Sequence, residues 1–303
     1  MNKHLLTKLL IICAVIFAAS CSEDKNEPAP DITYLGASKS ANILFGEEIT
    51  LTASSSGNTF QWNYTGGEIQ GEGKAVKWIA PNKIGTYSVS VSNGAGSTQS
   101  KELTVVGKYF FPFDSSSSGW SYDSNTTDRF FLNGILTVSA KGEASGSVYG
   151  FVPENIVLPY SLKTSVAIKT DNWDDLDTKT VNLIIYLNPT EESTYIRGIQ
   201  LQIVPGKHLW TAIANMSDGA RIGLKNVADT DIFTANNQFH TISMSVTATK
   251  SLIINIDETE VANIDLSSYN NELILNRFAY SASAGLTLLA DDFYLTTDNT
   301  ILK

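Results

Sequence analysis

The chain has 303 residues, with 31 acidic against 21 basic side chains and a formal charge of −10. That length holds about two domains, and the acidic balance argues against nucleic acid or anionic lipid headgroups as partners, since both need a basic surface. The only cysteines are Cys13 and Cys21, so nothing downstream of residue 21 can be stapled by a disulfide or hold metal through thiolates.

The first residues carry cations at Lys3 and Lys8, and the chain then runs apolar from Leu9 to Phe17. This matches the charged start and short apolar stretch of a secretory signal and is too short to span a bilayer. Small residues, Ala18, Ala19 and Ser20, stand directly before Cys21. The arrangement resembles bacterial lipoprotein signals, and the resemblance implies removal of residues 1–20, which shifts the formal charge to −12, and acylation of Cys21. Acyl chains contribute about 0.8 kcal/mol per buried methylene, so two or more hold a protein on a membrane where one is marginal. The alternative is an ordinary cleaved signal. Ser22-Glu23-Asp24-Lys25 is similar to the acidic export signal of Bacteroidota-type lipoproteins, which implies display on the outer face of the outer membrane; the alternative is a solvated acidic tether. Residues 21–31 contain Pro28 and Pro30 and read as a semi-extended tether.

From Ile32 to Val106, short alternating strands separated by Gly, Asn and Ser clusters predict a small all-β sandwich. Ile49, Leu51 and Ala53 share one strand face, and Trp62, Val76 and Trp78 fall in the strands that follow. Tyr87, two residues before Val89, resembles the tyrosine corner of immunoglobulin-like domains, and Trp62 their strand-C tryptophan. Leu51 and Val89 fill the usual cysteine positions. The resemblance implies a spacer or adhesive module.

The second predicted domain covers residues 108–303. Tyr109-Phe110-Phe111-Pro112-Phe113-Asp114, with Gly119-Trp120 after a serine run, resembles the opening of concanavalin-A-like jelly rolls of the laminin-G and carbohydrate-binding-module type. Strand alternation follows at Leu162–Ile168, at Val181–Leu187, and at Ile199–Ile203 around outward Gln200 and Gln202. A strand ending at Val246 leads to a second at Leu252–Asp257, a turn at Glu258-Thr259, and a return from Val261 to Leu266. Asp291-Asp292-Phe293-Tyr294 resembles the closing strand of the same superfamily. The fold class expected is therefore all-β: an N-terminal Ig-like β-sandwich and a larger concanavalin-A-like jelly roll.

Catalytic constellations are weak. The superfamily includes glycoside hydrolases, which need two carboxylates roughly 5–9.5 Å apart in a cleft. The nearest acidic strand, Asp257-Glu258-Thr259-Glu260, falls at the expected hairpin turn. Beyond the signal there are two histidines, His208 and His240, and no Gly-x-Ser-x-Gly elbow, so no nucleophilic triad is read and no catalytic residue is assigned. His240 shares the parity of Ile242 and Met244 and reads as a hydrogen-bonded core or edge histidine.

Two ligand sets are expected. The concanavalin-A-like resemblance implies a structural calcium near Asp114 and Asp291 or Asp292, whose oxygens suit a hard ion; the alternative is that these acids cap a turn or pair with a cation. Sugar binding needs exposed rings to stack on and amides to meet hydroxyls. Trp173 in an acidic loop, Trp210 after Gly206-Lys207-His208-Leu209, Tyr186 with Asn182, and Gln200 with Gln202 supply these types. Trp62, Trp78 and Trp120 are assigned to cores. The sequence thus reads as a lipid-anchored surface protein that captures a glycan without catalysis. The rivals are an adhesive protein contacting neighbouring surface proteins and a glycosidase.

Overall fold

The computed structural model describes residues 31–302 except positions 56, 58, 94–96, 114–119, 171–175, 190–193, 229–232, 234–236, 270 and 299, with backbone alone at 151–154. The signal, Cys21 and tether, together with Asp114 and Trp173, lie outside the described residues. Among those described, no helix is long and apolar enough to cross a membrane.

The N-terminal strands are β1 (Ile32–Ala37), β2 (Ile43–Leu44), β3 (Glu48–Ser55), β4 (Gln61–Tyr64), β5 (Glu68–Gln70), β6 (Ala75–Ile79), β7 (Gly85–Ser92) and β8 (Thr98–Gly107). They form two four-stranded sheets, ordered β1-β3-β6-β5 and β2-β8-β7-β4. Strict alternation along β3 buries Ile49, Leu51 and Ala53 while the intervening residues face water. Trp78, Leu51 and Val89 are fully buried in one cluster with Ile49, Leu103 and Val105. Trp62 is half-buried against that cluster, and its indole N–H donates to Gly73 O at 2.9 Å. The Tyr87 hydroxyl donates to Lys83 O at 2.9 Å, a corner-like bond four residues back. A Cβ on Gly66 would stand 2.5 Å from the Tyr87 ring, so glycine is what lets the ring lie there.

The C-terminal strands are β9 (Tyr109–Phe111), β10 (Trp120–Tyr122), β11 (Thr127–Leu132), β12 (Ile135–Ala140), β13 (Gly146–Ile156), β14 (Tyr160–Lys169), β15 (Val181–Leu187), β16 (Ile196–Val204), β17 (Leu209–Met216), β18 (Arg221–Val227), β19 (His240–Val246), β20 (Ser251–Ile256), β21 (Thr259–Asp265), β22 (Leu275–Ala282) and β23 (Thr287–Thr296). One sheet runs β10-β13-β22-β15-β16-β17-β18; the other runs β11-β12-β23-β14-β19-β20-β21, with β9 also on β23. All these pairings are antiparallel. The chain passes repeatedly from one sheet to the other, and the inward residues of both merge into a single core. This is the jelly-roll β-sandwich of concanavalin-A-like type expected from the sequence. The predicted inward sets at Leu162–Ile168, Val181–Leu187 and Ile199–Ile203 lie in that core.

The hairpin after β20 turns one residue earlier than predicted. Asp257 and Glu258 are its central pair, both left-handed, at φ 48° and 66°. A two-residue hairpin of this kind needs positive φ at both positions, and Asp257 adds a local anchor by accepting the Thr241 N–H at 2.9 Å.

The two sandwiches meet through backbone. Lys108 N–H donates to Leu295 O at 2.7 Å, and a Cβ on Gly107 would stand 2.6 Å from that same oxygen. Asp298 adds a second tie by accepting the Ile84 N–H at 3.2 Å. Burial alone would raise the Asp298 pKa, but hydrogen bonds from Thr296, Ile84 and Thr300 outweigh it and hold the carboxyl below the ordinary carboxylate value. A folded-state pKa below the unfolded one gives stability that is present above about pH 4 and is lost as pH falls through the folded value. Asp298→Asn is expected to destabilise the fold at pH 7 by about 1 kcal/mol or less, because the carboxylate keeps solvent contact, and so to lower the melting temperature modestly. In thermal melts the gap between parent and variant should narrow progressively as pH is lowered below about 4.

Candidate functional site

The seven-stranded sheet has one face in the core and one face out. On β15, Val181, Leu183 and Ile185 point inward, which sends Asn182, Ile184 and Tyr186 outward. Register carries this parity across the sheet in three rows. One row aligns Ser281, Asn182, Gln202 and Thr211; the next aligns Tyr149, Ala279, Ile184, Gln200 and Ile213; the third aligns Arg277, Tyr186, Gly198, Asn215 and Arg221.

The third row and its neighbour Tyr149 form an aromatic–cation group. The Arg277 guanidinium lies over both tyrosine rings, 5.0 Å from the Tyr149 centroid and 4.8 Å from that of Tyr186. The rings themselves are 6.1 Å apart. Burial pushes the Tyr186 pKa up, and nearby Tyr149 adds to this, while the charges of Arg277 and Arg197 oppose it. Tyr186 therefore stays a neutral phenol at physiological pH, able to donate as well as accept a hydrogen bond.

Beside this group runs an amide ladder. Gln200 Nε2 donates to Asn182 Oδ1 at 2.6 Å, and Asn215 Nδ2 donates to Gln200 Oε1 at 3.2 Å. The ladder is tied down at its start, where Asn182 Nδ2 donates to Thr180 Oγ1 at 3.4 Å. Asn182 and Gln200 are each only 8% exposed, whereas Gln202 and Asn215 are half-buried.

The predicted binding residues divide accordingly. Tyr186, Gln200 and Gln202 share one sheet face, as their parity requires. Gln200 is nevertheless committed to Asn182 and Asn215, so it positions its neighbours and does not present an open amide. Trp210 requires a correction: it is 1% exposed, inside the core on the opposite side of β17 from Thr211, and cannot stack on a ligand. Its strand pairs it with Ile203, an inward residue, and the short 3-10 turn Pro205–Lys207 fixes that register. Tyr149, Asn215 and Arg277 went unrecognised in the sequence. Each has the parity opposite to a buried neighbour, at Val148, Ala214 and Phe278, and that alternation was the available signal.

The acids expected to hold calcium sit at a bulge in β23, where Thr164 pairs with Phe293 and Ser165 with Asp291, leaving Asp292 over. Burial raises the Asp291 pKa, and the adjacent Asp292 charge raises it further. Asp292 Oδ2 accepts the Tyr294 hydroxyl at 3.0 Å. Calcium takes six to eight oxygens, and no group of three or more metal-binding side chains occurs among the described residues. These two carboxylates alone do not make up a calcium site.

His240 is a largely buried histidine whose Nδ1 lies 2.7 Å from Asp257 Oδ2, away from the polar sheet face. A cavity of about 60 Å³ between β14, β19 and the C-terminal segment is lined by Tyr160, Ser161, Ser245, Asp298 and Thr300. It is large enough for water and too small for a sugar ring.

No protein-family model and no curated protein matches the chain. Similar solved structures include a protein of unknown function with a galectin-like fold from Bacillus subtilis, at 11% identity and a TM-score of 0.49, covering 62% of this chain and 94% of that one. The carbohydrate recognition domain of Emp47p has 6% identity and a TM-score of 0.47, with 62% and 95% covered. The Bacillus licheniformis β-glucanase has 12% identity and a TM-score of 0.48, with 63% and 99% covered. What each of these binds or cleaves is a property of that protein.

Trp210→Ala should cost about 3–5 kcal/mol in urea denaturation, the cost of a large core cavity. Tyr186→Ala, on the outer face, should cost about 1 kcal/mol or less in the same measurement.

Proposed function

We propose that this chain is a lipid-anchored protein of the bacterial outer surface that captures a glycan on the outward face of its seven-stranded sheet, without catalysis. In this reading Cys21 is the acylated residue, residues 22–31 are the tether, and the N-terminal sandwich is an immunoglobulin-like spacer that carries no chemistry.

The observation that carries the reading is the joint presence, on one face, of two tyrosine rings, an arginine fork and half-buried amides. Sugar rings have apolar faces that stack on aromatic carbon and hydroxyls that both donate and accept, and this combination meets both needs. The amide ladder fixes Asn215 before any ligand arrives, which reduces the ordering cost of binding. A glycosidase needs two carboxylates roughly 5–9.5 Å apart in a cleft; in this reading the face instead captures a glycan and presents it to other machinery.

A polysaccharide and glycan array probed with the purified chain, with calcium and with chelator, tests this. One polymer class should bind, and Tyr149→Ala, Tyr186→Ala and Trp173→Ala should each weaken it about tenfold, roughly 1.4 kcal/mol. A blank array under both conditions sinks the reading in favour of contact with neighbouring surface proteins. Anchoring is tested separately: Cys21→Ser should move the protein from the membrane fraction to the soluble one.

A further inference from the structure

The charge on the candidate face is opposite to that of the chain. Acids outnumber bases 31 to 21 over the sequence, yet the row that crosses the face begins at Arg277 and ends at Arg221, with the exposed Arg197 beside Tyr186. Among the described residues, the Arg277 side chain makes no ion pair and no hydrogen bond; its ring contacts are the two tyrosines. Its five N–H donors have no hydrogen-bond partner among the described residues. An arginine held between two rings is already partly ordered, and Arg277 is exposed, so its donors are open to a ligand on the face.

We infer that the ligand of this face is an anionic glycan, a polymer whose sugars carry carboxylate or sulfate groups, and that Arg277 receives the anion through a bidentate contact. This rests on the glycan-capture reading above and names its ligand class. Planar two-point pairing with carboxylate or sulfate oxygens is the strongest interaction an arginine edge offers. Arg277 and Arg221 are four strand spacings apart, roughly 19 Å at about 4.8 Å per step. An oligosaccharide spans that distance and a single small anion does not. The acidic remainder of the chain opposes this little, since exposed charges are screened beyond about 8–10 Å at ordinary salt, while the fork acts at contact.

Isothermal titration of the purified chain with matched polymers tests the inference. The pairs are polygalacturonate against the same polymer with its carboxyls reduced to alcohols, and dextran sulfate against dextran. At least one anionic polymer is expected to bind tenfold or more tighter than its neutral counterpart, and to weaken as salt is raised. Which pair shows the preference identifies carboxylate or sulfate. Arg277→Gln should remove the preference at an unchanged melting temperature, and Arg277→Lys, which keeps the charge and loses the fork, should restore only part of it. Equal binding within both pairs, unaffected by Arg277→Gln, overturns the anionic assignment and leaves glycan capture standing. Failure of all four polymers also overturns it. A neutral glycan bound on the array then confines the failure to this inference, whereas a blank array removes the capture reading as well.

Discussion

A paired strand sends successive side chains to opposite faces, and in the C-terminal sandwich this two-residue period governs both the core and the candidate site. Val181, Leu183 and Ile185 must be inward for the core to close, so Asn182, Ile184 and Tyr186 have no choice but to face out. The same constraint acts on β16, β17 and β22, and antiparallel register lines the outward residues up in rows. The polar face is thus the obligate reverse side of a well-packed sheet. A one-residue slip of any central strand would empty the core and the site together.

Within that frame, two uses of polar side chains must be distinguished. Asn182 and Gln200 occupy outward positions but spend their hydrogen bonds on each other and on neighbouring strands, so they stiffen the face from within. Arg277 is the reverse case. Its guanidinium lies over two rings while its donors remain without protein partners among the described residues. Buried polar groups need partners, and exposed cations need none. Arg277 is exposed, so its ordering comes from ring contact and leaves its hydrogen-bonding capacity uncommitted.

The junction between the sandwiches follows from close backbone approach. β8 runs almost directly into β9, and β9 pairs with β23, so the last strand of the chain is tied to the segment that links the two parts. Gly107 permits this because any side chain there would collide with the Leu295 carbonyl. Asp298 fixes the start of β7 from the other direction, through the Ile84 N–H.

The sequence alone determined the all-β class, the inward residues of β3, β14, β15 and β16, and that Asn182 with Tyr186, and Gln200 with Gln202, point away from the core side of their own strands. These follow from alternation, a local property that each strand displays by itself. It also supplied the expectation of an anchor at Cys21 and of no cysteine beyond it, which rests on residues 1–31 and on composition. What only the tertiary structure decided depends on partners distant in sequence. Trp210 was expected as a ligand-stacking ring, and pairing with Ile203 placed it in the core instead, because a ring after a turn carries no period of its own. Tyr149 and Arg277 are 128 positions apart and meet because β13 and β22 are neighbours in the sheet. No local pattern encodes that adjacency. It is set by which strands pair, and the pairing is fixed by closure of a core to which the whole C-terminal sandwich contributes.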